Sequence, residues 1–118
     1  MAKILLIDDD QNITDIFQTA LEKAGYEVVT AQDGKTGLEK STSENPDLIL
    51  LDQVLPDTKG IEVLKTLKSS SPIPVAILSN FGQQELVSEA LTLGAADYIL
   101  KYQIAPEDLI KKVKELLG

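Results

Sequence analysis

Two carboxylates, Asp8 and Asp9, directly follow the apolar run Ile4-Leu5-Leu6-Ile7, and a third, Asp52, closes the run Leu48-Ile49-Leu50-Leu51. Acids seldom terminate buried apolar segments without a partner, because an unpaired charge out of water is strongly disfavoured. If the two runs are neighbouring strands, the three carboxylates meet at one sheet edge. Their mutual repulsion there is relieved only by a cation or by raised pKa values. Such an edge suits a hard divalent cation held by oxygen ligands. Two further polar residues end apolar runs in the same way, Ser79 after Val75-Ala76-Ile77-Leu78 and Lys101 after Tyr98-Ile99-Leu100. Single acids at strand ends also act as helix caps or turn residues, and that is the reading for Asp10 and Asp57.

The elements that must position these residues follow from periodicity. Short apolar runs alternate five times with amphipathic segments, the pattern of an α/β protein with a parallel sheet covered on both faces. Strands are expected near 3–7, 26–31, 47–51, 73–78 and 96–100, and helices near 12–24, 35–44, 60–69, 83–93 and 106–117. In the first helix Ile13, Ile16, Phe17, Ala20, Leu21 and Ala24 recur at helical spacing and are expected to face the sheet, with Gly25 closing the helix. The last helix opens at Pro106, with Glu107 and Asp108 at its positive end and Lys111, Lys112 and Lys114 toward its negative end. Gly94 is expected to stop the fourth helix. In doubly wound sheets, ligands bind beyond the carboxyl ends of the strands, where every polar residue singled out above lies.

Composition narrows the chemistry. The 118 residues, 43% hydrophobic and 25% charged, suit one globular domain, 1–118, and no effector domain is expected. A formal charge of -8, carried by 19 acids against 11 lysines, disfavours direct binding to nucleic acid or to anionic membrane surfaces. The chain has no Cys and no His, which excludes disulfides, thiolate zinc sites, imidazole catalysis and a phosphohistidine of its own. No signal-peptide core or membrane-length apolar stretch is present, and the expected location is cytoplasmic. Lys35, Lys40, Lys65 and Lys68 are expected on solvated faces.

Five segments together resemble the receiver domains of two-component response regulators, over the whole chain and in the family's order. Lys3-Ile4-Leu5-Leu6-Ile7-Asp8-Asp9-Asp10 is similar to its acid-pair strand, and Pro46-Asp47-Leu48-Ile49-Leu50-Leu51-Asp52 to its phosphoacceptor strand. Leu55-Pro56-Asp57-Thr58-Lys59-Gly60 resembles the loop that follows. Pro74-Val75-Ala76-Ile77-Leu78-Ser79 and Gly94-Ala95-Ala96-Asp97-Tyr98-Ile99-Leu100-Lys101 resemble the hydroxyl-switch and lysine strands. The resemblance implies a flavodoxin-like (βα)5 fold with strand order 2-1-3-4-5. It makes Asp52 the phosphorylated carboxylate, and it gives Asp8, Asp9, Asp52 and the Val54 backbone carbonyl a Mg²⁺ ion, with Mn²⁺ as a substitute. Ser79 and Lys101 would contact the phosphoryl oxygens, and Tyr98 would be the aromatic switch. The implied donor is a sensor histidine kinase or a histidine phosphotransfer protein, and the implied output is a changed helix 4–strand 5–helix 5 surface presented to a downstream protein, as a monomer or a phosphorylation-dependent dimer.

Departures from the family pattern carry expectations of their own. Tyr102 replaces the proline that usually follows the lysine, and a non-proline cis bond costs ~2.5 to 4 kcal/mol, so a trans Lys101-Tyr102 bond is expected. Asn80 stands where a small residue is usual, and Gln53 where an apolar one is common. Val54 and Phe81, expected beside the phosphoryl group, cannot orient an attacking water, which implies slow self-dephosphorylation rather than enzymatic turnover. Two other classes share parts of the pattern. An aspartyl-phosphate phosphohydrolase would use the same nucleophile but usually places an acid where Val54 stands. A flavodoxin-like nucleotide or flavin binder would need a phosphate loop longer than Asp33-Gly34-Lys35-Thr36-Gly37.

Overall fold

A computed structural model describes all 118 residues. Strands and helices alternate strictly: β1 (Lys3–Ile7), α1 (Gln11–Lys23), β2 (Glu27–Ala31), α2 (Gly34–Ser43), β3 (Leu48–Asp52), α3 (Gly60–Ser70), β4 (Val75–Ser79), α4 (Gln84–Thr92), β5 (Asp97–Leu100) and α5 (Pro106–Leu117). The five strands form one parallel sheet in the order β2-β1-β3-β4-β5. The chain winds outward from β1 in both directions, and the reversal falls between β1 and β3.

Because helices cover both faces, the central strands need apolar side chains on both, which is why they read as unbroken apolar runs. Leu5, Ile7, Ile49, Leu51, Val75 and Ile77 point into the layer formed with α3 and α4. Ile4, Leu6, Leu48, Leu50, Ala76 and Leu78 point the other way, onto Ile13, Phe17 and Leu21 of α1 and Leu109 and Val113 of α5. Each large aliphatic side chain buried this way contributes about 2 kcal/mol, and truncating one such as Leu50 to Ala costs roughly 2 to 5 kcal/mol. Gly37 of α2 lets that helix lie close on β1, since a Cβ there would stand 2.6 Å from Ile7 Cδ1. No helix is long and apolar enough to cross a membrane.

The helix ends obey local chemistry. Asp10 caps α1 by accepting from the amides of Asn12 and Ile13, and Asp33 caps α2 by accepting from Thr36. Gly25 (φ 99°) and Gly94 (φ 105°) take the left-handed conformation just beyond α1 and α4. β4 starts at Val75 rather than at Ile73, because Pro74 has no N–H to give a ladder.

Two expectations need correction. The buried stripe of α1 is Ile13, Thr14, Phe17 and Leu21, whereas Ile16 is 50% exposed and Ala24 is exposed. Ile16 lies on the shoulder of the apolar arc, and Ala24 is the residue at which the helix ends. Lys40 and Lys68 are half-buried rather than free in solvent: their ammonium groups donate to the carbonyls of Thr30 (2.6 Å) and Ile73 (2.9 Å). Lys35 and Lys65 are exposed as expected.

Candidate functional site

The sheet itself delivers the polar residues to one edge. Parallel pairing of Ile7 with Leu51 sets Asp8 beside Asp52. Ladder bonds continue past the strand ends, with the Asp8 amide donating to Ala31 O (3.0 Å), Gln53 to Leu78 O (2.9 Å) and Lys101 to Ser79 O (2.9 Å). The backbone beneath Asp8, Asp52 and Lys101 is therefore fixed by the sheet. Asp8, Asp52, Ser79 and Lys101 are all buried, and Asp9 is exposed. Carboxylate oxygens of Asp8, Asp9 and Asp52 lie within 4.8 Å of one another, close enough to share one metal ion.

Lys101 ties the acids together. Its Nζ donates to Asp8 at 3.0 and 3.2 Å and stands 3.2 Å from Asp52 Oδ1. Burial and the neighbouring Asp8 charge push Asp52 up to about 7, which Lys101 only partly offsets. Burial alone would lower the Lys101 pKa, but the hydrogen bond to Asp8 and the charges of Asp52 and Asp8 outweigh it and raise it. Three carboxylates against one ammonium leave an excess of negative charge among hard oxygen donors. That donor set fits a small dication such as Mg²⁺.

A second cluster lies beside the first. Ser79 Oγ donates to Phe81 O (3.2 Å) and accepts from Phe81 N (3.0 Å), while the Tyr98 hydroxyl donates to the same Phe81 carbonyl at 2.6 Å. The hydroxyl and the aromatic singled out in the sequence thus converge on one backbone oxygen. Tyr98 is half-buried, with Phe81 46% and Val54 58% exposed at the mouth of the cleft.

The mouth encloses about 300 Å³ and is lined by Asp9, Asp10, Asp52, Gln53, Val54, Asn80, Phe81, Lys101 and Tyr102. A larger hollow of about 490 Å³ lies between α2 and α3, away from the buried acid–lysine cluster, so volume alone does not locate the chemistry.

The structure adds contacts that the sequence signals weakly or not at all. The Tyr102 hydroxyl donates to Asp10, an interaction that lowers the Asp10 pKa and raises that of Tyr102. No peptide bond is cis, so Lys101-Tyr102 is trans as expected. Asp57 is more than a turn residue: its carboxylate accepts from the amides of Gly34 (2.8 Å) and Lys35 (3.0 Å), which lowers its pKa and ties the loop after β3 to the start of α2. A Cβ on Gly60 would stand 2.2 Å from the Asp52 carbonyl oxygen, so that loop can fold back only over a bare Cα. Turn motifs in the sequence hint at Asp57 and Gly60, but nothing in residue type marks the Phe81 carbonyl.

Comparison with known proteins agrees with this geometry. The model of the response regulator receiver domain matches residues 4–114, and the chain belongs to that family. It is 40% identical to the alkaline phosphatase synthesis transcriptional regulatory protein PhoP of Bacillus subtilis, a match covering 98% of this chain and 48% of that protein. The chain thus spans about half the length of the curated relatives it matches. Among solved structures, the BeF3-activated N-terminal receiver domain of Klebsiella pneumoniae RstA is 30% identical with a TM-score of 0.93, covering 98% of this chain and 97% of that one. A CheY-like receiver domain protein from Methanospirillum hungatei is 36% identical with a TM-score of 0.92, covering 99% and 94%.

Proposed function

We propose that Asp52 accepts a phosphoryl group from a phosphohistidine on a sensor histidine kinase or histidine phosphotransfer protein. The reading is carried by one observation: the buried Lys101 ammonium bridges two buried carboxylates, Asp8 at 3.0 Å and Asp52 at 3.2 Å. An Asp52 oxygen forms the new O–P bond as the donor's N–P bond breaks, and the departing imidazole takes up a proton. Lys101 moves its hydrogen bonds from the carboxylates to the phosphoryl oxygens as charge builds there. Asp8, Asp9, Asp52 and the Val54 carbonyl are the proposed Mg²⁺ ligands. When bound, Mg²⁺ neutralises charge on the transferring group.

The Ser79 hydroxyl, now occupied with Phe81, is a second donor for the phosphoryl oxygens. Drawing it inward breaks both Ser79 bonds to the Phe81 backbone, so the loop whose carbonyl holds the Tyr98 hydroxyl can move and Tyr98 can change rotamer with it. The outcome is a population shift of the α4–β5–α5 surface toward a form that binds a downstream protein. In this reading the chain acts as a single receiver domain in the cytoplasm and contacts no nucleic acid itself, and it turns over no substrate, since Val54 and Phe81, exposed at the mouth, are apolar and offer no base to an attacking water. Oligomeric state, monomer or phosphorylation-dependent dimer, belongs to the same proposal.

Incubation with Mg²⁺ and acetyl phosphate, followed by intact mass, tests the assignment. One phosphate adduct is expected in the wild type and none in Asp52→Asn. An adduct that persists in Asp52→Asn would place the acceptor elsewhere, and sustained release of phosphate from a phosphomonoester would favour a hydrolase.

A further inference from the structure

Tyr102 is the aromatic of the site that the chemistry above leaves without a task. It follows Lys101 directly and is 60% exposed, yet its hydroxyl reaches the carboxylate of Asp10, far away in sequence. Asp10 belongs to the β1–α1 loop and Tyr102 to the β5–α5 loop, so the bond runs between two walls of the cleft mouth. Both partners are held from behind. Asp10 caps α1, and its backbone N–H donates to Asp8 Oδ1 at 2.8 Å. The Tyr102 ring lies 5.8 Å from Lys101 Nζ, and that ammonium returns to Asp8.

We propose that Tyr102 is an access-determining residue for Asp52. Its bond to Asp10 holds the ring as a bar at the mouth, slowing both the inward passage of small acyl phosphates and the approach of water to the aspartyl phosphate. The proposal rests on the phosphoryl-acceptor reading. Inward, the acyl phosphate's O–P bond breaks as the Asp52 O–P bond forms, and a carboxylate leaves. In the return reaction, water bonds to phosphorus as the Asp52 O–P bond breaks, releasing inorganic phosphate, a proton and the free carboxylate. Both events require the same opening.

An exposed side chain swings aside by rotation without disturbing the core. The hydrogen bond and the cation–ring contact are what oppose that rotation. Removing the hydroxyl raises the open fraction by the Boltzmann factor of one hydrogen bond, about two- to tenfold. Formation and decay of the adduct then accelerate by the same factor. A residue that merely positioned Lys101 would behave oppositely, since its loss would slow formation.

The test uses the full chain as wild type, Tyr102→Phe, Tyr102→Ala and Asp10→Asn. Adduct formation with acetyl phosphate and Mg²⁺, and decay after donor removal, are followed by intact mass. Release of beryllofluoride on dilution, followed by fluorine NMR, reports the opening without any chemistry. All three rates are expected to rise about two- to tenfold in Tyr102→Phe and further in Tyr102→Ala. Asp10→Asn, which keeps a cap and an acceptor oxygen but loses the charge that strengthens the bond, should fall between wild type and Tyr102→Phe. Equal rates in wild type and Tyr102→Phe, or slower formation in Tyr102→Phe, overturn the proposal while leaving Asp52 as acceptor. A wild type that forms no adduct overturns both.

Discussion

Asp8, Asp52 and Lys101 join one another directly through their side chains, on backbone that continues the sheet's hydrogen-bond ladder, whereas the side chains of Ser79 in β4 and Tyr98 in β5 join through the Phe81 carbonyl, on the loop leading into α4. The helices beside the two clusters differ in the same sense. α1 is capped by Asp10 and buries Ile13, Thr14, Phe17 and Leu21, while α4 has no side-chain cap at Gln83 and buries only Ala90. Few buried side chains and a helix end without a side-chain cap mark an element that opens at low free-energy cost. One half of the site can hold reacting atoms in fixed geometry, and the other half can change shape.

The largest expected effect probes the rigid half through its charge. Since burial and Asp8 push Asp52 up to about 7, the native state binds this proton more tightly than the unfolded chain, whose carboxyl keeps the ordinary value of 3.8. In Mg²⁺-free buffer, the Asp52 contribution to stability should therefore be fully present below the unfolded value and be lost, by roughly 2 to 4 kcal/mol, as the pH rises to about 7, a fall read as the difference between wild type and Asp52→Asn. Urea denaturation across that range should show the slope in wild type and a much flatter line in Asp52→Asn. Mg²⁺ at a hundredfold over its Kd should add about 2.7 kcal/mol at neutral pH in wild type only. Identical slopes in both proteins would mean that the acids are not crowded as described.

A smaller effect separates the halves. Ser79→Ala should still accept phosphate and keep the wild-type pH slope, because no charge is removed. Its α4 amides, however, should lose the change in hydrogen exchange that beryllofluoride produces in the wild type. If α4 responds equally in both proteins, the link through the Phe81 carbonyl is not the route.

The smallest effect strengthens the soft half. Gln83→Asp supplies the missing cap and should stabilise α4 by about 1 kcal/mol. Exchange at α4 should slow, with phosphate uptake at Asp52 unchanged. No change in protection would show that the free helix end is not what leaves α4 loosely held.

Much of the rigid half was legible in the sequence, for a physical reason. A strand buried on both faces must be apolar throughout, so the first charged residue after it marks the sheet edge, and Asp8, Asp52 and Lys101 announce themselves by that contrast. The strand and helix boundaries follow from the same contrast to within a residue or two. The soft half was less legible because its connections run through groups that residue type does not reveal. The Phe81 carbonyl is a backbone atom, and Asp10 and Tyr102 are brought together only by tertiary folding. Lys40 and Lys68 look like solvent-facing cations in the sequence, and only the fold brings them to the carbonyls of Thr30 and Ile73. Ile16 fits the helical repeat, yet the sheet covers a narrower arc than the repeat suggests.

The pairing of Ile7 with Leu51 has one more consequence. Successive residues of a strand face opposite ways, so deleting a single residue from β3 would not shorten the reach of Asp52 by a little; it would turn the carboxylate toward the opposite layer of hydrocarbon. A length error of one residue in that strand would therefore abolish the chemistry outright.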